Sequence, residues 1–191
     1  MSANVWFEEV SVGLINEIKN TVKIKDTKGV LIPIDNVIVR KPEEDFKLEV
    51  FPCASIYIKS FNYDYRRYDT VPATVSIDVE HNTKVIEDSA IPFVLDCQVD
   101  FWAEYQTDMD IMLRTWLYTH FHQFNLNVID DGGTERLCNC LAQRDIIKSD
   151  LVKNLKRLYH SIINLQIWVE LDEEIRYNVP MTGKDGVNIN I

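Results

Sequence analysis

His120, His122, Cys138 and Cys140 carry imidazole and thiolate groups, the ligands that zinc prefers. Their spacing argues against one shared ion. Residues two apart on a helix point about 200° apart, so both histidines would not face the same metal, and the pattern lies far from the usual zinc spacings. His120 reads instead as a core residue, and the two cysteines as thiols carried on a strand. Carboxylates are the second candidates: Asp96, Asp100, Glu104, Asp108, Asp110, Asp130 and Asp131. General acid–base catalysis needs a pair in one pocket with separated pKa values, and a nuclease needs several converging on a metal. Asp96 and Asp100 fall on the same face of one strand with Gln98 between them, which makes a solvated acidic face. The chain has only 6 glycines, and no phosphate-cradling loop, serine nucleophile elbow or dinucleotide fingerprint occurs. The sequence therefore reads as a non-enzyme without metal or cofactor. A small acidic metal-dependent hydrolase or nuclease is the catalytic alternative.

A different kind of site is suggested by Tyr63, Asp64, Tyr65, Arg66, Arg67 and Tyr68, the densest aromatic and arginine cluster outside the predicted core. Tyr and Arg dominate many protein interfaces because each combines large contact area with directional hydrogen bonds. An exposed loop whose rings pack locally is the plain reading of the same residues. The formal charge of −10 opposes binding to nucleic acid through phosphates, since that mode requires clustered Lys and Arg to release counterions.

The elements that position these residues follow from hydrophobic period. From Phe93 to Phe101 the chain alternates, with Phe93, Leu95, Cys97, Val99 and Phe101 on one side and Val94, Asp96, Gln98 and Asp100 on the other. After Gln106 the spacing becomes helical: Met109, Met112, Leu113, Trp116, Leu117, His120 and Phe121 form one stripe. Thr107 and Asp110 predict a capping box at its start. An amphipathic helix is predicted from Val5 to about Val22, carrying Trp6, Phe7, Val10, Leu14, Ile15 and Ile18. Short edge strands or an irregular connection fit Val30 to Ile34 and Val37 to Val39. Leu48 to Ile58 reads as a strand broken by Pro52, at an edge or with a bulge at the break.

From Phe61 to Ala90 the sequence predicts an excursion from the core that contains a projecting hairpin, Thr74 to Val79 with Lys84 to Ile86. Leu126 to Ile129 and Leu137 to Leu141 flank Asp130, Asp131, Gly132 and Gly133, the clearest hairpin signal in the chain. Ser149 to Leu158 is predicted as a short helix. Ile163, Leu165, Ile167, Val169 and Leu171 alternate with polar residues, giving a strand that pairs with Phe93 to Phe101 at the centre of a sheet. Strands with one apolar face and two amphipathic helices to cover it predict an α+β fold: an antiparallel or mixed sheet with helices on one face.

At 191 residues and 46% hydrophobic, residues 1–191 are expected to form one domain, with 61–90 as a hairpin insertion and 172–191 as an extended C-terminal arm. No apolar run approaches the ~20 residues that span a bilayer, and Glu8 and Glu9 stand where a signal peptide would carry its apolar core. Four cysteines are sparse for this length and read as reduced thiols in a cytosolic setting.

The order of elements resembles tail terminator, or tail completion, proteins of tailed bacteriophages, of the contractile-tailed kind. The resemblance runs from about Val5 to Leu171. It is carried by the N-terminal helix, the strand Val50-Phe51-Pro52-Cys53-Ala54-Ser55-Ile56, the strand into helix at Phe93 to Phe124, the acidic glycine turn and the late strand Ser161 to Leu171. Asp96-Cys97-Gln98-Val99-Asp100-Phe101-Trp102-Ala103-Glu104 is its most similar local text. The resemblance implies a structural virion protein, made in the bacterial cytoplasm, that forms a hexameric ring, ends the tail tube and joins it to the neck. Its partners would be tube, sheath and connector proteins, with DNA passing through an acidic channel and no membrane involved. Another neck or baseplate assembly protein is the alternative of the same class. Asp96, Asp100, Asp130 and Asp131 are then expected on the channel or polar face. Tyr63, Tyr65, Arg66, Arg67 and Tyr68, with Val187, Ile189 and Ile191 of the terminal arm, are expected at contacts between chains.

Overall fold

The computed structural model describes residues 7–40, 50–67, 73–78, 83–87, 90–130, 132–143, 147–153, 156–171 and 176–180. Helix α1 spans Phe7–Thr21. Its first turn holds Glu8 and Glu9 and its last holds Lys19, charges that suit the two ends of the helix dipole. Val10, Leu14 and Ile18 recur every four residues and are fully buried, whereas Phe7 at the start is 36% exposed. The predicted Val5 and Trp6 lie outside the described residues.

Strands β1 (Lys23–Lys25) and β2 (Leu31–Pro33) form a small antiparallel hairpin. The short strand β3 (Val37–Val39) runs parallel to β4 (Cys53–Tyr63). Two expectations are corrected here. Strand β4 starts after Pro52 rather than being broken by it, and it lies inside the sheet, between β3 and β7 (Ile91–Ala103). Its irregularity is further on, where the register shifts between Ile58 and Ser60. It also runs on through Phe61 and Tyr63, so these residues belong to the main sheet and not to the excursion. Within the excursion, β5 (Ala73–Asp78) and β6 (Thr83–Glu87) pair antiparallel as predicted.

Helix α2 spans Gln106–Thr119 and begins one residue before the predicted capping box. Tyr105 occupies the N-cap with an extended backbone, and no side chain caps the helix; Thr107 sits inside the first turn, where its hydroxyl cannot serve as the cap. Met109, Met112, Leu113 and Trp116 are buried, while Phe121, predicted on the same stripe, lies past the helix end and is 81% exposed.

Strands β8 (Gln123–Ile129) and β9 (Glu135–Ala142) form the predicted hairpin, with Gly133 at a φ of +80°. The predicted helix from Ser149 is instead strand β10 (Ile147–Lys153), paired residue for residue with the first half of β11 (Lys156–Leu171). Ladder pairing along a long neighbour has overridden a weak local preference. Strand β12 (Arg176–Pro180), the start of the predicted arm, pairs with β6, giving a three-stranded sheet in the order β12-β6-β5.

The main sheet has seven strands in the order β3-β4-β7-β11-β9-β8, with β10 also paired to β11. Strands β7 and β11 are its centre, matched from Ile91↔Leu171 to Ala103↔Tyr159. Both helices contribute to one continuous core with the face that carries Leu95, Cys97, Val99, Phe101, Ile163, Leu165, Ile167 and Val169. The fold is therefore α+β with a mixed sheet. Gly13 lets α1 approach β8 closely, since a Cβ there would lie 3.0 Å from the Asn127 carbonyl oxygen and 3.2 Å from a Val128 methyl.

Candidate functional site

The opposite face of β4, β7 and β11 is polar because the same alternation that buries Leu95, Cys97 and Val99 turns Asp96, Gln98 and Asp100 the other way. The register sets their neighbours: Ser55 lies across from Asp100, Tyr57 from Gln98, Gln166 from Asp96, Asn164 from Gln98 and His160 from Trp102.

Asp100 is the best enclosed of these groups, with its side chain fully buried. Arg40, which directly follows β3, places Nη2 2.9 Å from Oδ2, and Ser55 Oγ donates to the same oxygen at 3.4 Å. Gln98 Nε2 donates to Oδ1 at 2.7 Å. His160 Nε2 stands 3.2 Å from Oδ1, a geometry that requires the proton on that nitrogen. The His160 ring stacks on Trp102 at 3.7 Å, and the Arg40 guanidinium lies 5.2 Å from the centre of the Tyr57 ring. A serine, a carboxylate and a histidine thus meet, but with the carboxylate in the middle. Serine catalysis needs the imidazole against the hydroxyl and the acid behind it; here the hydroxyl bonds the acid directly. The cluster is an ion-pair junction that fixes β3, β4, β7 and β11 to one another.

Further along the face, Asp96 accepts from Ser60 Oγ at 2.9 Å, Asn62 Nδ2 at 3.1 Å and Gln166 Nε2 at 3.1 Å. Lys59, displaced by the β4 irregularity, donates to Asn164 Oδ1 at 2.6 Å. Beyond the end of β4, Arg67 pairs with Glu170. These groups form a belt of mutually paired side chains across three strands. The expectation of an open acidic face is corrected for Asp100, which offers no bare carboxylate to solvent.

The same holds for Asp130. It is buried at the β8–β9 turn, accepts from the Thr134 amide at 2.8 Å and pairs with Arg136 Nε at 2.9 Å. Desolvation pushes its carboxyl upward, but the amides of Thr134 and Gly132 together with Arg136 outweigh that and hold it below the ordinary carboxylate range. Asp131 lies outside the described residues.

Tyr63 ends β4, 45% exposed and edge-on to Phe93 at 5.9 Å. Tyr65 is 70% exposed beneath the Arg66 guanidinium, 5.8 Å from its ring centre. Tyr68, Val187, Ile189 and Ile191 lie outside the described residues. The structure therefore brings Arg67 to the polar belt and keeps Tyr63 on the opposite, core-facing side of β4.

His120 caps the end of α2 and is buried, stacked on Trp116 at 4.0 Å. Its ring nitrogens face oxygen acceptors, the Trp116 carbonyl at 3.1 Å and Glu17 Oε1 at 2.7 Å. His122 is exposed, with a φ of +82°. Among the described residues no group of three or more His, Cys, Asp or Glu is placed to hold a metal ion. Burial pushes the thiols of Cys53 and Cys97 up to about 12 and that of Cys138 to about 11, and it raises Cys140 as well. All four are free thiols inside the protein, the opposite of what a nucleophile or metal ligand needs.

No protein-family model matches the sequence. No curated protein matches it. Among solved structures, the chain is similar to the sheath/tube terminator of an extracellular contractile injection system, PVC, in its extended state, seen by cryo-EM. The TM-score is 0.47 at 10% identity, and the match covers 94% of this chain and 62% of that one. The chain thus spans less than two thirds of that protein's length. Among the described residues no helix is long and apolar enough to cross a membrane.

Arg40, Ser60, Asn62 and His160 are the members of the polar belt that the sequence reading missed. The signal for His160 was the alternation of β11, which continues back past Ser161 to Lys156. Arg40 had no local signal, because its place depends on the parallel pairing of β3.

Proposed function

We propose that this chain is a structural subunit of a contractile tail, a ring-forming terminator that ends the tube and sheath and joins them to the neck. The observation that carries the reading beyond resemblance is the polar belt. Asp100, Asp96 and Glu170 are each satisfied by partners within the belt, so it is a stiff, finished surface and not a set of groups held ready for chemistry. Such a surface suits permanent contact in an assembly, where flexible side chains would cost entropy on docking.

On this reading DNA passes through the ring without sequence-specific binding, repelled by the chain's net charge of −10. That repulsion belongs to the chain as a whole, since Asp100 and Asp130 are paired inside it. Residues 1–191 act as one unit, and Val187, Ile189 and Ile191 add a strand to a neighbouring chain. Removing residues 181–191 should weaken assembly and leave the thermal transition of the subunit unchanged.

Native mass spectrometry and negative-stain microscopy test the reading, with a closed ring of about six copies expected either free or on the ends of tail tubes. Purified protein added to growing tubes should fix their length. A chain that stays monomeric in both settings and leaves tube growth unaltered refutes it.

A further inference from the structure

The hairpin of β1 and β2 carries apolar side chains that the fold leaves in water. Its register sets Lys23 opposite Pro33, Ile24 opposite Ile32 and Lys25 opposite Leu31. Side chains alternate across such a ribbon, so Lys23, Lys25, Leu31 and Pro33 share one face and Ile24 and Ile32 the other. Ile24 packs against the core, which turns the Lys23 face outward. Leu31 is 52% exposed there, and Val30, next to it at the tip, is 56% exposed. The tip itself is firmly built: Asp26 Oδ1 accepts from the amides of Lys28 and Val30, each at 2.8 Å, and Gly29 takes a φ of +79°.

With the Asp26 carboxylate turned to these amides, the hairpin lysines have no acid of their own. Lys23, Lys25 and Lys28 form no ion pair among the described residues, whereas Arg40, Arg67 and Arg136 are each paired with a carboxylate. The hairpin thus sets three lysines against one aspartate in a chain of net charge −10, and the remainder is more acidic still. Surface of that sign lies at the far end of α1. Glu8 and Glu9 occupy its first turn, Glu8 exposed, and Val12, one turn on from Glu8, is 49% exposed. Lys19 occupies its last turn, and the hairpin begins at Lys23. The 15 residues of α1 hold the two ends about 22 Å apart at ~1.5 Å per residue. Each end joins apolar surface to charge, and the charges are opposite.

We propose that the outward face of this hairpin docks on the acidic end of α1 in a second copy of this chain. Charge chooses that occupant. Copies of net charge −10 repel one another, so their association needs a contact where opposite signs meet; complementary patches also speed encounter and exclude wrong partners. Lys25 and Lys28 then face the carboxylates of the first turn, while Val30 and Leu31 lie against Val12. The same sign argument disfavours nucleic acid, because a hairpin with three lysines would draw an acidic body toward the phosphates. Pro33 has no amide to give to an added strand, so the contact is made by side chains and not by extending the ribbon. Because the two patches lie at opposite ends of α1, the contact is head-to-tail. Such a contact closes into a ring when its rotation permits, and propagates as a fibre when it does not. The inference rests on the ring-subunit reading and supplies that ring with a contact.

A charge swap tests it. Lys25→Glu/Lys28→Glu protein sets acid against acid at the contact, and Glu8→Lys/Glu9→Lys protein sets base against base. Each alone should raise the concentration at which copies associate by about tenfold or more, as like charges placed together do, at a nearly unchanged thermal transition. An equal mixture of the two should restore the ring, because in alternation every hairpin again meets the opposite charge. Analytical ultracentrifugation of the free proteins and electron microscopy of tube ends read both results. Independently, wild-type association should weaken several-fold between ~50 and ~300 mM salt, where screening shortens its reach. Rings that persist in both variants alone, a mixture that fails to restore them, or association indifferent to salt overturns this contact and leaves the ring-subunit reading standing. Variants that keep the free ring but no longer end tubes assign the hairpin to a tube protein and overturn the second-copy occupant. A wild-type chain that is monomeric both free and on tubes overturns both.

Discussion

The two faces of strand β7 share a backbone and a degree of enclosure, yet different physics holds them. Val99 and Asp100 are adjacent, and neither exposes any surface. Val99 is held by close packing with Ile56 and Ile163, its register partners, and packing of that kind tolerates any apolar group of similar volume. Asp100 is held by Arg40, Ser55, Gln98 and His160, and each partner is specific. Asp96, four residues back on the same polar face, is only half-buried, and Ser60 and Asn62, two of its three partners, are exposed. Polar character alone therefore does not set exposure on this face. Enclosure comes where Arg40 after β3, Tyr57 of β4 and His160 of β11, stacked on Trp102 of β7 itself, gather around one carboxylate.

The largest expected effects test whether Asp100 is structural in the same sense as Phe101. Removing one member of a buried ion pair costs ~3–5 kcal/mol because the other is left uncompensated. Asp100→Ala should fall toward the lower end of that range, since the Arg40 side chain keeps 24% exposure. Phe101→Ala, which strips a ring packed edge-on to Trp116 at 5.9 Å, should cost ~3–5 kcal/mol. The two then diverge. Adding Arg40→Met to Asp100→Ala should restore much of the loss, because an apolar pair can replace a buried ionic one at little cost, whereas no change on the polar face should rescue Phe101→Ala. Urea unfolding of the four proteins measures this. A double variant no more stable than Asp100→Ala alone would mean that Arg40 is not the partner that matters.

The core face gives a pH effect of its own. Burial is the main cause that pushes Cys97 up to about 12, with the nearby Asp96 carboxylate adding to it. An unfolded thiol titrates near 8.5, so above that pH the unfolded chain loses its proton first. Stability contributed by the buried thiol is complete below pH ~8.5 and declines up to the folded value, by at most ~1.4 kcal/mol per thiol per pH unit. Wild-type protein should therefore lose stability steeply between about pH 9 and 11, and Cys97→Ala should show a shallower slope over that window. At neutral pH a thiol reagent should label none of the 4 cysteines until denaturant is added. Equal slopes in the two proteins would show that the Cys97 thiol is not sealed in the core.

Both faces of β7 were legible in the sequence, because a period of two is imposed by the backbone and needs no tertiary information. So were the β8–β9 hairpin, the pairing of β7 with β11, and the stripe that α2 buries. What was not legible depended on partners remote in sequence. Arg40 reaches Asp100 across 60 residues. Residues 147–153 became a strand because β11 offered them a long edge. The capping box at Thr107 failed because the strand β7 runs on to Ala103, leaving only Glu104 and Tyr105 before the helix. That error has its own measurable consequence. Thr107→Ala should change stability by no more than ~0.5 kcal/mol, while Tyr105→Ser, which puts a hydroxyl at the actual N-cap, should add about 1 kcal/mol in thermal unfolding. A loss from Thr107→Ala of a kilocalorie or more would return the cap to that residue.

A small effect also belongs to Asp96, and it separates stability from assembly. Its three hydrogen bonds lie on a wet surface, where such bonds contribute about 0.5–1.5 kcal/mol at most and water readily replaces them. Asp96→Ala should therefore cost the monomer under ~1 kcal/mol, well below Asp100→Ala. If the polar belt is a contact surface, however, the same change releases Ser60, Asn62 and Gln166 from fixed positions, and each must be ordered again on docking at ~0.5–1.5 kcal/mol. The concentration at which copies associate should then rise while the thermal transition of the monomer moves little. Analytical ultracentrifugation beside calorimetry makes the comparison. A change in association no larger than the change in subunit stability would assign the belt to the fold alone.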